Sequence, residues 1–154
     1  MRVSSKGRYA VVALVDVAQN SSVRPASLAD VAQRQKISLS YLEQLFAHLR
    51  RAGLVAASRG PGGGYRLQRP AAEISVADVF QAVEDVASTP SEGGARDWSE
   101  GPAAELWAAL DGHISRFLAK TSLAELISDE SEGTPAFRTV PEGRAALSDA
   151  DKVA

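Results

Sequence analysis

Two short capped helices separated by a tight turn, a glycine-rich hairpin directly behind them, and a long apolar-striped helix further on together predict the fold class. The chain is expected to be mainly α with a small β-hairpin wing, a winged helix-turn-helix followed by a long C-terminal dimerisation helix. Each element has a local reason. From about Lys6 to Asn20, Val11, Leu14, Val15 and Ala18 recur at helical spacing. Asn20-Ser21-Ser22 interrupts that pattern, and Ser27 with Asp30 three residues later marks the N-terminus of a second helix ending near Gln35, with Leu28, Val31 and Ala32 as its apolar side.

The third helix is expected to begin at Ser40, whose hydroxyl, paired with Glu43 three positions on, satisfies the spacing of a capping box. Leu42, Leu45, Phe46 and Leu49 then face inward, which leaves Ser40, Tyr41, Gln44, Ala47 and one or both of Arg50 and Arg51 on the other side, with Gly53 ending the helix. Residues 54–58 and 64–67 read as strands joined by Arg59-Gly60-Pro61-Gly62-Gly63, a turn sequence. Ser75 and Asp78 repeat the capping pattern ahead of Val76, Val79, Phe80 and Val83. Pro102 opens the long helix, marked by Leu106, Trp107, Leu110, Ile114, Phe117 and Leu118, and a further one or two turns run from Ser122 to Ile127. The expected organisation is a DNA-binding domain over 1–84, an exposed loop over 85–101, a dimerisation helix with a following short helix over 102–127, and an acidic, disordered tail over 128–154.

Charge is distributed unevenly. Residues 1–70 hold eleven Lys/Arg against three acids, a net +8, whereas residues 71–154 hold six against sixteen, a net −10, so the formal total of −2 conceals a basic half suited to a polyanion. Arg59 and Arg66 flank the glycine loop with positive charge. The 154 residues contain no cysteine, and the two histidines, His48 and His113, are far apart, so thiolate chemistry and a local histidine metal motif are excluded. The glycine loop lacks the Gly-Lys-Ser/Thr ending of a phosphate-binding loop. No nucleophile elbow or His-Glu-x-x-His motif occurs, and the acid pairs Glu84-Asp85 and Asp129-Glu130 read as solvated charge, so no enzyme is expected. Neither a membrane-spanning run nor a signal stretch is visible, which places the expected site of action in the cytoplasm, with no membrane partner. Glu43 carries two readings, a helix cap or an outward carboxylate that accepts from cytosine N4.

Three segments in order, Arg2-Val3-Ser4-Ser5-Lys6-Gly7-Arg8-Tyr9-Ala10, Ile37-Ser38-Leu39-Ser40-Tyr41-Leu42-Glu43-Gln44-Leu45 and Arg59-Gly60-Pro61-Gly62-Gly63-Gly64-Tyr65, closely resemble the IscR-type regulators. These belong to the Rrf-two winged-helix family that also holds NsrR and CymR, and the likeness runs from Met1 to about Ile127. The resemblance implies a homodimer on a palindromic double-stranded DNA operator, acting as a repressor of iron–sulfur assembly or iron-metabolism genes. Carried over, Ser38, Ser40, Tyr41, Glu43 and Gln44 match recognition-helix contacts, and Arg59 with Gly60 matches a wing that enters the minor groove. Arg2, Lys6, Arg50 and Arg51 add candidate phosphate contacts. Leu106, Leu110, Ile114 and Phe117 are the candidate dimer interface.

One departure stands out. IscR-type proteins hold a 2Fe–2S cluster with three cysteines and a histidine before the dimerisation helix. Here the last cysteine position falls on Gly101 and the histidine position on Ala104, while Arg8 and Val12 stand where some relatives place ligands on the first helix. No cofactor or metal site is expected. The minority alternative is an atypically ligated 2Fe–2S cluster or loosely bound iron among Glu92, Asp97, Glu100 and His113. Other open readings are a different stress or metabolic regulon under an unidentified effector or partner protein, and a winged helix used for protein interaction.

Overall fold

The computed structural model describes residues 3–84 and 99–132, with side chains placed as far as Ile127. The helices are α1 (Ser5–Asn20), α2 (Leu28–Gln35), α3 (Leu39–Arg51), α4 (Val76–Val83), α5 (Ala104–Lys120) and α6 (Leu123–Glu132). Strands β1 (Val55–Ser58) and β2 (Gly64–Leu67) lie between α3 and α4, and a short 3₁₀ turn (Ala71–Glu73) precedes α4. Arg2, Glu92, Asp97, most of the 85–101 loop and residues 133–154 lie outside the described residues.

Serine hydroxyls start five of these helices by accepting a backbone N–H from the first turn. Ser4 takes Gly7, Ser27 takes Asp30, Ser38 takes Tyr41, Ser75 takes Asp78 and Ser122 takes Glu125. At Ser75 the reciprocal bond from its own N–H to the Asp78 carboxylate, 3.0 Å, completes the capping box expected there. The start of α3 differs from expectation: the cap is Ser38, and Ser40 already lies within the helix. The cause is the exit from α2. Lys36 adopts a left-handed conformation (φ 55°), and the Ile37 N–H returns to the Ala32 carbonyl, so the chain has turned by Ser38.

The core gathers Ala10, Ala13, Leu14 and Val17 of α1, Val31 of α2, Leu42, Leu45, Phe46 and Leu49 of α3, Leu54 and Val55, and Ile74, Val79, Val83 and Leu123. On α1 the buried face is rotated from the expected stripe, leaving Val11 and Val15 half-buried. The reason is the approach of α4: Gly7 lies against the Phe80 ring so closely that a Cβ there would collide with it. Small residues on this face of α1 let the second helix in.

The hairpin pairs Val55 with Leu67 through Ser58 with Gly64, antiparallel. Ala26 adds a one-residue third rung, exchanging both backbone bonds with Tyr65 at 2.9 and 2.8 Å. The Tyr65 ring meets Phe46 edge-on, with centroids 4.9 Å apart, so the wing is fixed to α3 and to the segment leading into α2. A second bridge joins Ser75 and Ser122. Through it, Val76 N–H donates to the Thr121 carbonyl and Leu123 N–H to the Ile74 carbonyl, which anchors the α5–α6 junction to the start of α4.

Two boundaries move. Pro102 lies in the turn before α5, which starts at Ala104, because Gly101 (φ 107°) is still reversing the chain. The helix expected to stop at Ile127 runs on to Glu132, so the first five residues assigned to the tail are helical.

Candidate nucleic-acid interface

The geometry of the candidate site starts on α1. Asp16 is 2% exposed and accepts from Arg34 Nη2 at 2.6 Å, Arg34 Nε at 3.0 Å and Gln35 Nε2 at 2.8 Å, with Asn20 Nδ2 at 3.3 Å. Burial pushes the Asp16 carboxyl up, but the hydrogen bonds from Arg34 and Gln35 and the Arg34 charge outweigh it and hold the carboxyl below its ordinary range. The same contact raises Arg34. Since Arg34 and Gln35 are the last residues before the Lys36–Ser38 turn, this ion pair sets where α3 begins relative to α1. Composition alone counted Asp16 as one acid among three. Its signal in the sequence is an acid set among Ala13, Leu14 and Val17 on a buried face, where only a paired carboxylate is tolerated.

From that turn, α3 presents Ser38, Ser40, Glu43 and Gln44 exposed at its N-terminal end, with Arg50 and Arg51 exposed at the other. Ser38 holds the cap, so Glu43 is released from any capping role and stands outward beside Gln44. Tyr41 is half-buried and packs on the core, and its ring meets Tyr9 of α1 at right angles, with centroids 5.8 Å apart and an interplanar angle of 88°. Tyr9 is 46% exposed, and nothing in the helix patterning had singled it out. Lys6 is half-buried and His48 is half-buried on the flank of α3.

The wing tip places Arg59 and Gly60 in the open, with Gly60 (φ 95°) and Gly62 (φ 73°) in a conformation that side chains resist and the Gly63 N–H closing back on the Gly60 carbonyl. Arg66 is exposed on the other flank of the loop, as expected, and has a partner within the chain. Its Nη2 donates to the Val23 carbonyl at 2.9 Å, tethering β2 to the loop before α2. The exposed end of α3 offers hydrogen-bond donors and acceptors, and the glycine-loop tip offers positive charge, the chemistry that base edges and phosphates of duplex DNA engage.

On α5, Leu106, Leu110 and Phe117 are 60%, 48% and 55% exposed, whereas Ile114 is half-buried. His113, exposed between Leu110 and Phe117, has its Nδ1 2.7 Å from the Arg116 Nη2 donor. The chain has no thiolate, and among the described residues no three His, Cys, Asp or Glu side chains converge on a metal position. Glu100 is exposed ahead of α5, and His113 sits on the third turn of that helix. No helix among the described residues is long and apolar enough to cross a membrane.

Comparison with known proteins matches residues 3–129 to the family model Rrf2, described as an iron-dependent transcriptional regulator. The HTH-type transcriptional regulator IscR of Cereibacter sphaeroides is 49% identical, covering 92% of this chain and 99% of that protein. The regulator of the same name from Escherichia coli O1:K1 / APEC is 46% identical over 84% of this chain and 82% of its own. Among solved structures, T. potens IscR superposes with a TM-score of 0.71 at 36% identity, covering 86% of this chain and 90% of that one. CymR, the global cysteine regulator of B. subtilis, gives 0.69 at 32% identity, covering 83% and 97%. The chain is a DNA-binding transcription regulator, and it belongs to the Rrf2 family of iron-dependent transcriptional regulators.

Proposed function

We propose that the chain is a homodimeric repressor of iron–sulfur assembly or iron-metabolism genes, acting in the cytoplasm on a palindromic operator. The observation that carries this reading is the pairing of an exposed, capped α3 end with a basic wing tip in a half of the chain with net charge +8. Ser40, Glu43 and Gln44 read base edges, Ser38 and Tyr41 hold the helix end against the backbone, and Arg59 with Gly60 enters the minor groove, where negative potential is concentrated. Lys6, Arg50 and Arg51, together with Arg2, contribute phosphate attraction that positions the protein without choosing sequence. Leu106, Leu110 and Phe117 supply the exposed apolar seam for a second copy, whose two-fold symmetry matches that of a palindrome. Ile114 supports the seam from its half-buried side.

The chain binds its operator without a cluster. Iron in such clusters is held by thiolates, and this sequence supplies none. Regulation then follows protein concentration, an effector or a partner protein. Binding-site selection from genomic DNA across a salt series, with sedimentation of the free protein, tests the reading. Recovered palindromes ahead of iron–sulfur or iron-metabolism genes, bound by a dimer with a steep salt dependence, are the expected result. Palindromes ahead of other metabolic genes would move the regulon toward the class of the cysteine regulator. Anaerobic reconstitution with iron and sulfide, followed by desalting and operator titration, tests the cluster-free mode. Retained stoichiometric iron and sulfide with an altered affinity would overturn it.

A further inference from the structure

We propose that the recess at the base of the wing, between β2, the loop after α1 and α6, binds a small carboxylate with an apolar chain, held by Arg66 and Arg69. This deepens the effector reading above by naming a ligand class, and it depends neither on the homodimer nor on the regulon.

The recess has a volume of about 310 Å³, at the lower end of the range of small-molecule sites. Four polar side chains line it: Arg66 and Arg69 on the chain leaving the wing, and Ser21 and Ser22 in the connection between α1 and α2. The rest of the lining is apolar, from Ala18 of α1, Leu67, Pro70 and Ala71, and Ile127 of α6. Both arginines are exposed, so the mouth is open to solvent.

The positive charge has no answer within the chain. Among the described residues no carboxylate pairs with either guanidinium, and neither Arg69 nor the two serine hydroxyls have a hydrogen-bond partner. Arg66 uses one of its N–H donors on the Val23 carbonyl, at 2.9 Å, and keeps the others. That bond fixes the guanidinium beside the recess before a ligand arrives, so less side-chain freedom is lost on binding.

The lining selects the occupant. A guanidinium fork donates paired bonds to a planar carboxylate and stays charged at any working pH. The apolar residues beside it offer nothing to an ion made only of polar oxygens, but each methylene of an alkyl chain buried there gains about fourfold in affinity. A DNA strand suits the site less well, because its phosphates follow one another over an open surface and carry no apolar chain. Leu67 also lies at the base of the hairpin, about 10 Å along β2 from Gly64 at the turn.

The position gives a ligand a hold on DNA binding. Arg66 already ties β2 to the loop before α2, and the Ala26–Tyr65 bonds join the same two segments. A carboxylate shared by Arg66, Arg69 and the Ser21–Ser22 connection adds a further tie. Occupancy therefore steadies the wing against the helix-turn-helix and raises operator affinity.

The probe is hexanoate, with hexanamide as its uncharged analogue and inorganic phosphate as an anion without a chain. Each is titrated into the isotope-labelled full chain at fixed ionic strength. Hexanoate should give saturable amide shifts at Ser21, Ser22, Arg69 and Ala71. Hexanamide and phosphate should each bind about tenfold more weakly or worse, one lacking the charged hydrogen bonds and the other the buried chain. Arg69→Gln should weaken hexanoate by about tenfold with helical content unchanged. Shifts that never saturate, or that Arg69→Gln leaves unaltered, would overturn the proposal, as would phosphate binding as tightly as hexanoate. Saturating hexanoate should tighten operator binding by the wild type and not by Arg69→Gln. An operator affinity indifferent to hexanoate would remove the regulatory role. A salt slope lowered by about one per protomer in Arg69→Gln without hexanoate would assign the arginine to the duplex and also overturn the site. The shift titration uses neither DNA nor iron, so its failure leaves the repressor reading standing.

Discussion

Arg34 grips Asp16 with two prongs, its Nε 3.0 Å from one carboxylate oxygen and its Nη2 2.6 Å from the other, across eighteen residues of sequence. Asp16 is 2% exposed and the Arg34 side chain 41%, so one partner is a buried charge and the other is half in water. The two ends of the pair are therefore not equivalent. Removing the arginine strands a carboxylate in the interior, whereas removing the carboxylate frees an arginine that water can solvate.

Arg34→Ala should accordingly cost more than Asp16→Asn. About 2–3 kcal/mol is expected for the former, below the value for a fully buried pair because Arg34 is partly solvated, and about 1–2 kcal/mol for the latter, which keeps a hydrogen-bonding side chain. Urea unfolding at fixed protein concentration measures both. Equal losses would mean that the pair acts as a surface contact.

The same pair fixes a direction with pH. The folded Asp16 carboxyl lies below its ordinary value of 3.8, so as acid is added the unfolded chain takes up the proton first. The stability from Asp16 is complete above the ordinary value and is lost as pH falls through the lower folded one. The gap between wild type and Asp16→Asn should hold steady from neutral pH down to about pH 5, where an ordinary carboxyl is still ionised, and close below it. Unfolding midpoints at a series of pH values read this out. A gap that widens toward acid would show burial winning over Arg34.

Ser38 and Glu43 separate a structural role from a reading role. Ser38→Ala removes the hydroxyl that holds the Tyr41 N–H and should cost about 1 kcal/mol. Ser40→Ala and Glu43→Ala touch no cap and should leave unfolding within about 0.5 kcal/mol of wild type. Glu43→Ala should instead widen the range of operators bound, because an outward carboxylate rejects unsuitable base edges and phosphates. Melting curves alongside binding-site selection distinguish the two. A stability loss at Glu43 with unchanged site preference would return it to a capping role.

What was legible in the sequence is what is decided within one turn or one hairpin. The Ser27 and Ser75 starts depend on contacts three residues away, and the wing turn on glycines that must reach positive φ. The sequence favours Ser40 as the α3 cap because only that serine has a glutamate three positions on; Ser38 wins through the left-handed Lys36, a residue type that seldom adopts this conformation. The buried face of α1 depends on Phe80 lying over Gly7, seventy-three positions away. Asp16 depends on Arg34 and Arg66 on Val23, both distant partners that periodicity cannot supply. The exposed end of α3, the wing tip and the apolar line on α5 were readable because each is a pattern of side chains on one element. Residues 128–132 have a tail-like acidic composition, but glutamate is also a good helix former, and α6 continues through them.

Tyr9 should be coupled to Tyr41. The edge-on contact between them holds the first turn of α3 against α1, and such ring pairs contribute about 0.5–1.5 kcal/mol beyond burial. A double-mutant cycle on operator affinity with Tyr9→Ala and Tyr41→Ala should therefore be non-additive by a comparable amount, with Tyr9→Phe close to wild type because it keeps the ring. Additive losses would make Tyr9 an independent contact, and a loss in Tyr9→Phe equal to that in Tyr9→Ala would assign the effect to its hydroxyl.

Arg59 and Arg66 flank one glycine loop, yet they should behave differently toward salt. Arg59 is exposed at the tip, while the Arg66 guanidinium is engaged with the Val23 carbonyl and works as a tether. A cation that displaces counterions from DNA contributes about one unit to the slope of log affinity against log salt, and an arginine held by its own chain contributes less. Arg59→Ala should weaken operator binding and lower that slope by about one per protomer. Arg66→Ala should leave the slope near wild type and loosen the wing, seen as faster amide exchange at Ala26 and Tyr65, whose backbone bonds close the third rung. Titrations at four or more salt concentrations for both variants decide the matter. An unchanged slope in Arg59→Ala would remove the wing tip from the interface, and a slope lost in Arg66→Ala would show that its contact with Val23 opens on DNA.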